Sequence, residues 1–467
     1  MFYELVPDEK MALIADDTSS MTYRELAGYV DQVKALGLER ALAFNLCESS
    51  PASVIGYLGF LNSGVVPLML DKKIDRTLLG NLLEVYKPRY LYVPAVTEEE
   101  FADYSRKASF LHYSLLERNE PVETPLYEEL ALLLTTSGST GSPKLVRQSY
   151  TNIQSNAEAI AEYLKLTPDE RPVTTLPMNY TYGLSIINSH LEAHATILMT
   201  DKAMNMKPFW TFMKENKATS FGGVPFTYEM LKKVRFFKMD LPDLRYMTQA
   251  GGKLSPELHR EFAEWANERG KQFIVMYGQT EATARMGYLP GEKSLEKYGS
   301  MGKAIPGGKF LLIDVNGNEV TQPETVGELV YDGPNVTLGY AECREDLAKG
   351  DERGGRLITG DMAKFDEDGY YYIVGRKKRF LKIFGNRVNL DEIDRLIRET
   401  FENLDCASTG VDDHMRTYIT DPDKVNEIRQ WLTAKTHLSE SAFEVFYLEE
   451  IPKNESGKVL YKDLPAE

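Results

Sequence analysis

Cysteine is nearly missing from this chain of 467 residues. Cys47, Cys343 and Cys406 are an odd number, far apart and without CxxC spacing, which excludes a disulfide scaffold or a zinc ribbon and fits a reducing compartment. A basic surplus is missing too. Fifty-four Lys and Arg face 70 Asp and Glu, and the net charge of −16 repels a phosphate backbone. Nucleic acid is therefore not expected as the main ligand, unless a local basic face exists. The opening residues MFYELVPDEK lack the basic-then-apolar pattern of a secretory leader. The uncharged stretch 49–70 reaches membrane length, but Pro51, Asn62, Gly64 and Pro67 interrupt it. It reads as a buried helix Pro51–Asn62, a stop at Gly64 and a strand over VVPLML. A cytoplasmic protein with no membrane span is the expectation.

What is present can build large cores. AVILMFWYC residues make up 43% of the chain and charged residues 27%, so a disordered, collagen-like or coiled-coil chain is excluded. The length exceeds one compact core and implies two or three domains.

The first half alternates between two hydrophobic periods. Thr22 and Glu25 are spaced as a capping box, behind which Leu26, Tyr29, Val30, Val33 and Leu36 share a helical face that Gly37 ends. A strand over 41–46, the 51–62 helix, a strand over 65–70, a helix over 78–86 and the strand YLYV follow. That alternation predicts α/β layers, a parallel sheet with helices on both faces. From about residue 300 to 374 the texture becomes short strands broken by turns, including a hairpin signal at Asn316-Gly317, which predicts a small barrel or curled sheet. After Gly375 come six cations, Arg376, Lys377, Lys378, Arg379, Lys382 and Arg387, then helices over 390–402 and 423–434. The expected division is a large domain over 1–376, with its β-rich part near 300–374, and a small mobile α+β domain over 377–467.

The segment LLLTTSGSTGSPKLVRQS, residues 132–149, holds nine Thr, Ser or Gly residues. Small residues let successive N–H groups converge on a polyphosphate, with hydroxyls and Lys144 adding donors and charge. Alone, it also reads as a ligand-free Gly/Ser loop. It is not a Walker A loop: Pro143 precedes the lysine, Leu145 follows it, and residues 145–149 read as a strand rather than a helix. The expected device is a cover between two strands.

The loop Thr136-Ser137-Gly138-Ser139-Thr140-Gly141-Ser142-Pro143-Lys144 resembles the phosphate-loop signature of the acyl-adenylate-forming enzymes, which include acyl-CoA synthetases, carrier-protein acyl and amino-acid ligases, and firefly luciferase. The resemblance continues in order through Tyr277-Gly278-Gln279-Thr280-Glu281, Thr359-Gly360-Asp361, Gly375-Arg376 and Gly457-Lys458. It implies the two-domain architecture just outlined, with a distorted β-barrel in the large domain, and ATP, Mg²⁺, a small carboxylic acid and a thiol as reactants.

It also implies roles. Gly251, Gly252 and Lys253 with Tyr277, Gly278 and Gln279 would hold adenine, since glycine lets a main chain approach a flat base. Thr280 would donate to the α-phosphate, and Glu281 with Thr136 would hold Mg²⁺, a hard cation suited to carboxylate and phosphate oxygens. Asp361 would accept from both ribose hydroxyls, with Arg376 and Arg387 reaching the same nucleotide. Outside this context, Asp361–Arg376 reads as a surface pair, Glu281 as a solvated acid and the basic run as a solvated face. Lys458 would enter to bridge carboxylate and phosphate oxygens as charge builds. Lys378 falls at the hinge about which the small domain turns between adenylation and thiol transfer. Tyr180, Tyr182, Gly183, Phe221, Gly222, Met276 and Ala282 would wall the acyl pocket.

Two departures bear on substrate. Tyr180 stands where relatives often carry histidine. No Asp occurs between Asp169 and Asp201, where amino-acid-activating relatives usually hold the ammonium, so an amine-free acid is favoured. The expected activity is an ATP-dependent acid–thiol ligase releasing pyrophosphate. The acceptor is a phosphopantetheine thiol, tilted slightly towards a free-standing acyl carrier protein; free CoA, or an amino acid such as D-alanine loaded on a carrier, are the alternatives. A catalytically idle nucleotide-binding protein is opposed by the intact Thr280, Glu281, Asp361, Arg376 and Lys458. A P-loop NTPase on nucleic acid fails on loop type and charge.

Overall fold

The computed structural model describes every residue except Thr18, 136–143, Gly385, His437, 455–456 and 466–467, and the side chains of 386–387. The chain forms two compact units, residues 1–310 with 331–357, and residues 311–330 with 358–467.

In the first unit, the described residues form two mixed sheets. One has eight strands in the order Gly339–Ala341, Leu145–Ser149, Leu130–Thr135, Val66–Asp71, Leu42–Cys47, Tyr90–Pro94, Tyr113–Arg118, Tyr104–Phe110. Its centre is parallel and its outer pairs are antiparallel. The other has nine, with Ser220–Gly223, Tyr246–Gln249 and Gln272–Tyr277 parallel at its middle. The α/β alternation is thus realised, with antiparallel edges added to the parallel cores.

Local signals act where they were read. Thr22 accepts from the Glu25 amide and the Glu25 carboxylate accepts from the Thr22 amide, capping the helix Tyr23–Ala35. The helix Pro51–Asn62 is buried from Pro51 to Leu61, and Gly64 adopts φ 70° as the chain turns into Val66–Asp71. Alternate residues of the strand Leu42–Cys47 feed two cores: Ala43 and Cys47 join the cluster holding Ile55 and Leu58, while Phe44 and Leu46 join Leu79 and Leu82. Each such aliphatic side chain contributes about 1.5–3 kcal/mol when fully buried. Ile55→Asp, placing an unpaired charge among them, would break the layer.

In the second unit, a four-stranded sheet runs in the order Lys309–Ile313, Gly327–Asp332, Arg356–Phe365, Tyr371–Arg376. Among the described residues, no pairing joins its two edge strands. At Asn316-Gly317 the chain turns, with Gly317 at φ 85°, and the turn is closed by the Asp314 amide on the Asn318 carbonyl at 2.8 Å, the Val320 amide on the Leu312 carbonyl at 2.8 Å and a bridge between Ile313 and Glu319. Asp314 dominates there, accepting from the amides of Asn316 and Asn318. Beyond it lie the hairpin Phe380–Ile383 with Asn386–Asn389, the helices Leu390–Thr400 and Val425–Thr436, and the sheet Cys406–Val411, His414–Ile419, Phe443–Tyr447. Ile393, Ile397, Ile428, Leu432 and Phe443 share their core.

Candidate active site

The loop 136–143 lies outside the described residues, and with it the expected ligands Thr136, Ser137, Gly138, Ser139, Thr140 and Gly141. Its anchors are described. Leu130–Thr135 and Leu145–Ser149 pair antiparallel, Thr135 opposite Leu145, so the segment joins two neighbouring strands. Among the described residues, the helix that follows begins at Tyr150.

The parallel strands at the middle of the nine-stranded sheet are in register, Gly223 opposite Gln249 and Gln249 opposite Val275. Their carboxyl ends therefore arrive side by side as Gly222-Gly223, Ala250-Gly251-Gly252 and Tyr277-Gly278. The space outside the carboxyl ends of parallel strands is where α/β proteins place ligands. Glycine is required here on steric grounds. Gly251 has φ 83°, and a Cβ there would lie 2.6 Å from the Tyr180 hydroxyl. A Cβ on Gly278 would lie 1.8 Å from the Ala284 carbonyl oxygen. Buried Gln249 steadies the turn, donating to the carbonyls of Gly252 at 2.9 Å and Ala250 at 3.2 Å. Gly251, Gly252 and Lys253 are exposed, and Tyr277, Gly278, Gln279, Thr280 and Glu281 are half-buried.

Glu281 is held more firmly than its position in a loop suggests. Its carbonyl oxygen accepts from the Thr337 amide at 3.1 Å, the Thr337 hydroxyl at 2.9 Å and Arg353 Nη1 at 2.9 Å. Its Oε1 accepts from the Tyr340 hydroxyl at 2.8 Å. Burial, and then the Glu281 charge, push that hydroxyl up to about 12, so it stays a donor. Lys144 Nζ sits 3.7 Å from the centre of the Tyr340 ring and 3.7 Å from Glu342 Oε1. Arg353 stands 4.7 Å from the same ring. Arg147, fully buried on the strand after the loop, fixes this segment through the Tyr340 carbonyl at 3.0 Å, the Gly350 carbonyl at 3.2 Å and the Glu352 carboxylate at 2.5 Å. Sequence reading missed Arg147, Thr337, Tyr340 and Arg353. The local signal was only a tyrosine in a short strand, and what matters is that Tyr340 pairs opposite Val146, two residues after Lys144. A single oriented carboxylate is the donor set expected for Mg²⁺, which keeps phosphate and water oxygens as its other ligands. No group of three or more His, Cys, Asp or Glu side chains forms a metal cage among the described residues.

The expected acyl-pocket residues gather in part. Tyr180, Tyr182 and Met276 share a cluster with Ile186, Tyr246 and Ile274. The Tyr182 hydroxyl bonds Thr248 Oγ1 at 2.8 Å. Phe221 and Gly222 line a cavity of about 10 Å³ with Ile186, Tyr246, Thr248 and Arg285. Gly183 and Ala282 are buried but do not line it. Arg285 is the residue sequence reading passed over.

In the second unit, Asp361 and Arg376 stand opposite each other in the hairpin and pair at 2.8 Å, with Asp361 buried. The basic run is largely engaged. Lys377 pairs with Glu328 at 2.7 Å, and Arg379 pairs with Asp391 and Asp394, both at 2.8 Å. Lys378 is exposed in the short turn Lys377–Arg379. The Arg387 side chain lies outside the described residues. Lys458 is exposed on a turn in which its amide donates to Asn454 Oδ1 at 2.9 Å.

Residues 4–341 match the AMP-binding enzyme family. The chain is 26% identical over 487 residues to 3-hydroxybenzoate–CoA ligase from Aromatoleum sp. (strain CIB), covering 96% of this chain and 91% of that one. It is 28% identical over 343 residues to oxalate–CoA ligase from Arabidopsis thaliana, covering 70% of this chain and spanning 66% of that protein's length. Among solved structures, O-succinylbenzoate coenzyme A synthetase from Bacillus subtilis, in complex with ATP and magnesium ion, superposes with a TM-score of 0.75 at 21% identity, covering 98% of this chain and 96% of the other. No described helix is long and apolar enough to cross a membrane.

Proposed function

The chain belongs to the AMP-binding enzyme family, the acyl-adenylate-forming enzymes, and from that premise we propose that it is an AMP-forming acid–thiol ligase. A carboxylate oxygen of the acid attacks the α-phosphorus of ATP, forming an acyl-adenylate and releasing pyrophosphate. A thiol sulfur then attacks the acyl carbon, forming a thioester and releasing AMP. The acid is its own nucleophile, so catalysis needs positioning and electrostatics rather than a Ser/His/Asp set.

The observation that carries this reading is the convergence, in a chain of this family, of three glycine-bearing strand ends and the clamped Glu281 beside Lys144. We assign adenine to Gly251, Gly252 and Tyr277, the α-phosphate to Thr280, and the remaining phosphates to the 136–144 loop. Glu281, oriented by Tyr340, would hold Mg²⁺, which when bound neutralises phosphate charge. Asp361 and Arg376 take the ribose. Lys458 takes the carboxylate and phosphate oxygens during adenylation, and Lys378 serves as the hinge between the two half-reactions. We place the domain boundary at that hinge.

For the acceptor, CoA now stands ahead of a carrier protein. The relatives just described are CoA ligases, and the ion pairs of Lys377 and Arg379 remove charge that an acidic carrier would use. The acid is small and lacks an α-amino group. The test is pyrophosphate release over a mixed acid panel, followed by thioester formation with CoA and with a pantetheinylated carrier supplied in turn. No release with any acid, from folded protein that binds ATP, refutes the ligase reading; release followed by transfer to the carrier alone refutes the assignment of CoA.

A further inference from the structure

Arg285 is 2% exposed, and no described carboxylate pairs with it. Its Nε donates to Ser185 Oγ at 3.1 Å and its Nη1 to the Tyr163 hydroxyl at 3.0 Å, with the Met276 sulfur at 3.4 Å. The guanidinium lies 5.2 Å from the centre of the Tyr182 ring. Every one of these partners is neutral. His190, across the cavity, is neutral as well: burial, with Arg285 adding to it, pushes its ring down to about 3. Its Nδ1 faces the Ile186 carbonyl at 2.7 Å and so carries the proton, leaving Nε2 to accept from the Tyr246 hydroxyl at 3.1 Å. Tyr163, Tyr182 and Tyr246 are all raised by burial and stay protonated. The helix Thr181–Glu192, the end of the helix Tyr150–Tyr163 and the strands Tyr246–Gln249 and Gln272–Tyr277 thus surround a permanent cation with hydroxyls, a thioether and a neutral imidazole.

A guanidinium taken out of water without a counter-ion is costly, and a protein that keeps one usually has an anion to meet it. Here the cation lines the cavity formed with Phe221, Gly222 and Thr248, so an anion entering that cavity completes the pair. Planar Arg suits a carboxylate, which it grips through two parallel N–H bonds. The cavity, at about 10 Å³, holds about one water-sized group, so a single carboxylate oxygen fits it while the rest of the acid stays at its mouth, and a long acyl chain at this end is excluded.

We propose that Arg285 reads a second, anionic group on the acid, so that the substrate is a short or aryl dicarboxylic acid, one carboxylate adenylated and the other held at Arg285. This rests on the ligase reading above and goes beyond it by naming the substrate class and a specificity-determining residue. A cation at this point also opposes a substrate ammonium, independently of the missing Asp between residues 169 and 201.

The experiment compares matched acids in pyrophosphate release, each monoacid against the diacid of equal length: propionate with malonate, butyrate with succinate, 3-methylbenzoate with isophthalate. In the unaltered enzyme at least one diacid is expected to exceed its monoacid by about 100-fold or more in kcat/KM, the scale of a buried charged pair. Arg285→Met should abolish that preference by lowering the diacid while leaving or raising the monoacid, and Arg285→Lys should retain part of it. The proposal is overturned if every monoacid matches or beats its diacid in the unaltered enzyme, a comparison that needs no variant to fold. It is also overturned if Arg285→Met, with an unchanged melting temperature, lowers both members of a pair equally. In both cases the acids are still adenylated and the ligase reading stands; if no acid releases pyrophosphate, both fall together.

Discussion

Replacing Tyr340 by phenylalanine removes one oxygen and leaves the ring on which Lys144 and Arg353 rest at 3.7 and 4.7 Å. What is lost is the 2.8 Å hydrogen bond to Glu281 Oε1. The tyrosine is a committed donor, because burial and the neighbouring carboxylate push its hydroxyl up to about 12. Hydrogen bonds to charged groups contribute about 1.5–3 kcal/mol when buried. Both residues are half-buried, so water can replace part of the bond, and about 1–2 kcal/mol is the appropriate share. That corresponds to roughly 5–30-fold in rate if the bond orients Glu281 for the adenylation step. The assay is ATP–pyrophosphate exchange at saturating acid, with calorimetric ATP binding and a thermal melt run beside it. Exchange should fall by that factor while the melt barely moves, since the Thr337 and Arg353 bonds to the Glu281 backbone remain. Exchange within twofold of the unaltered enzyme would refute the claim that Tyr340 orients Glu281. A fall in exchange matched by a large fall in melting temperature would refute the claim that the bond serves the site rather than the fold.

Gly278→Ala forces a methyl to within 1.8 Å of the Ala284 carbonyl, an overpacking of about 1–3 kcal/mol or more that should lower the melting temperature by several degrees and abolish ATP binding by calorimetry. Buried His190 should make the protein acid-sensitive: the unfolded ring takes up a proton below about 6.5 and the folded ring refuses until about 3. Its contribution is therefore complete above pH 6.5 and lost as pH falls, at up to about 1.4 kcal/mol per pH unit; His190→Gln should flatten the melting-temperature slope between pH 6.5 and 5, and equal slopes would exclude His190 as the cause. Lys458→Ala should abolish pyrophosphate exchange yet spare thiol transfer from preformed acyl-adenylate, and it leaves the bond from the Lys458 amide to Asn454 Oδ1 in place. Equal loss of both steps would contradict separate adenylation and transfer states.

Much of the architecture was legible because its causes are local. The capping box at Thr22 and Glu25, the proline start of Pro51–Asn62 and the glycine stop at Gly64 each act within a few residues, and each operates as read. The strand after the loop was legible for the same reason, since Leu145–Ser149 is short, opens on Leu145-Val146 and ends at a Ser149 cap. The turn at Asn316-Gly317 was legible too: backbone bonds cross it between Asp314 and Asn318 and between Val320 and Leu312, and the Asp314 carboxylate adds bonds from the amides of Asn316 and Asn318. Tyr340 and Arg353 were not legible, because a register about 190 residues long in sequence brings Tyr340 to Val146, and nothing near either residue encodes it.

The two buried arginines show the harder limit. Nothing in the sequence singles out Arg147 or Arg285 as buried, and arginine is rarely buried without a partner. In the structure both are withdrawn from water. Arg147 is satisfied from within the chain: four backbone carbonyls, of Leu338, Tyr340, Lys349 and Gly350, and the Glu352 carboxylate account for it, and its work is to seat the Tyr340 strand. Arg285 meets two hydroxyls and a sulfur, and no described acid. Burial alone cannot tell these roles apart, but the identity of the partners can. A cation neutralised by its own chain needs nothing more. A cation kept dry on the wall of a cavity with no described acid beside it favours an anion that brings the charge, and in a ligase for carboxylic acids the substrate is the molecule that can carry a second one.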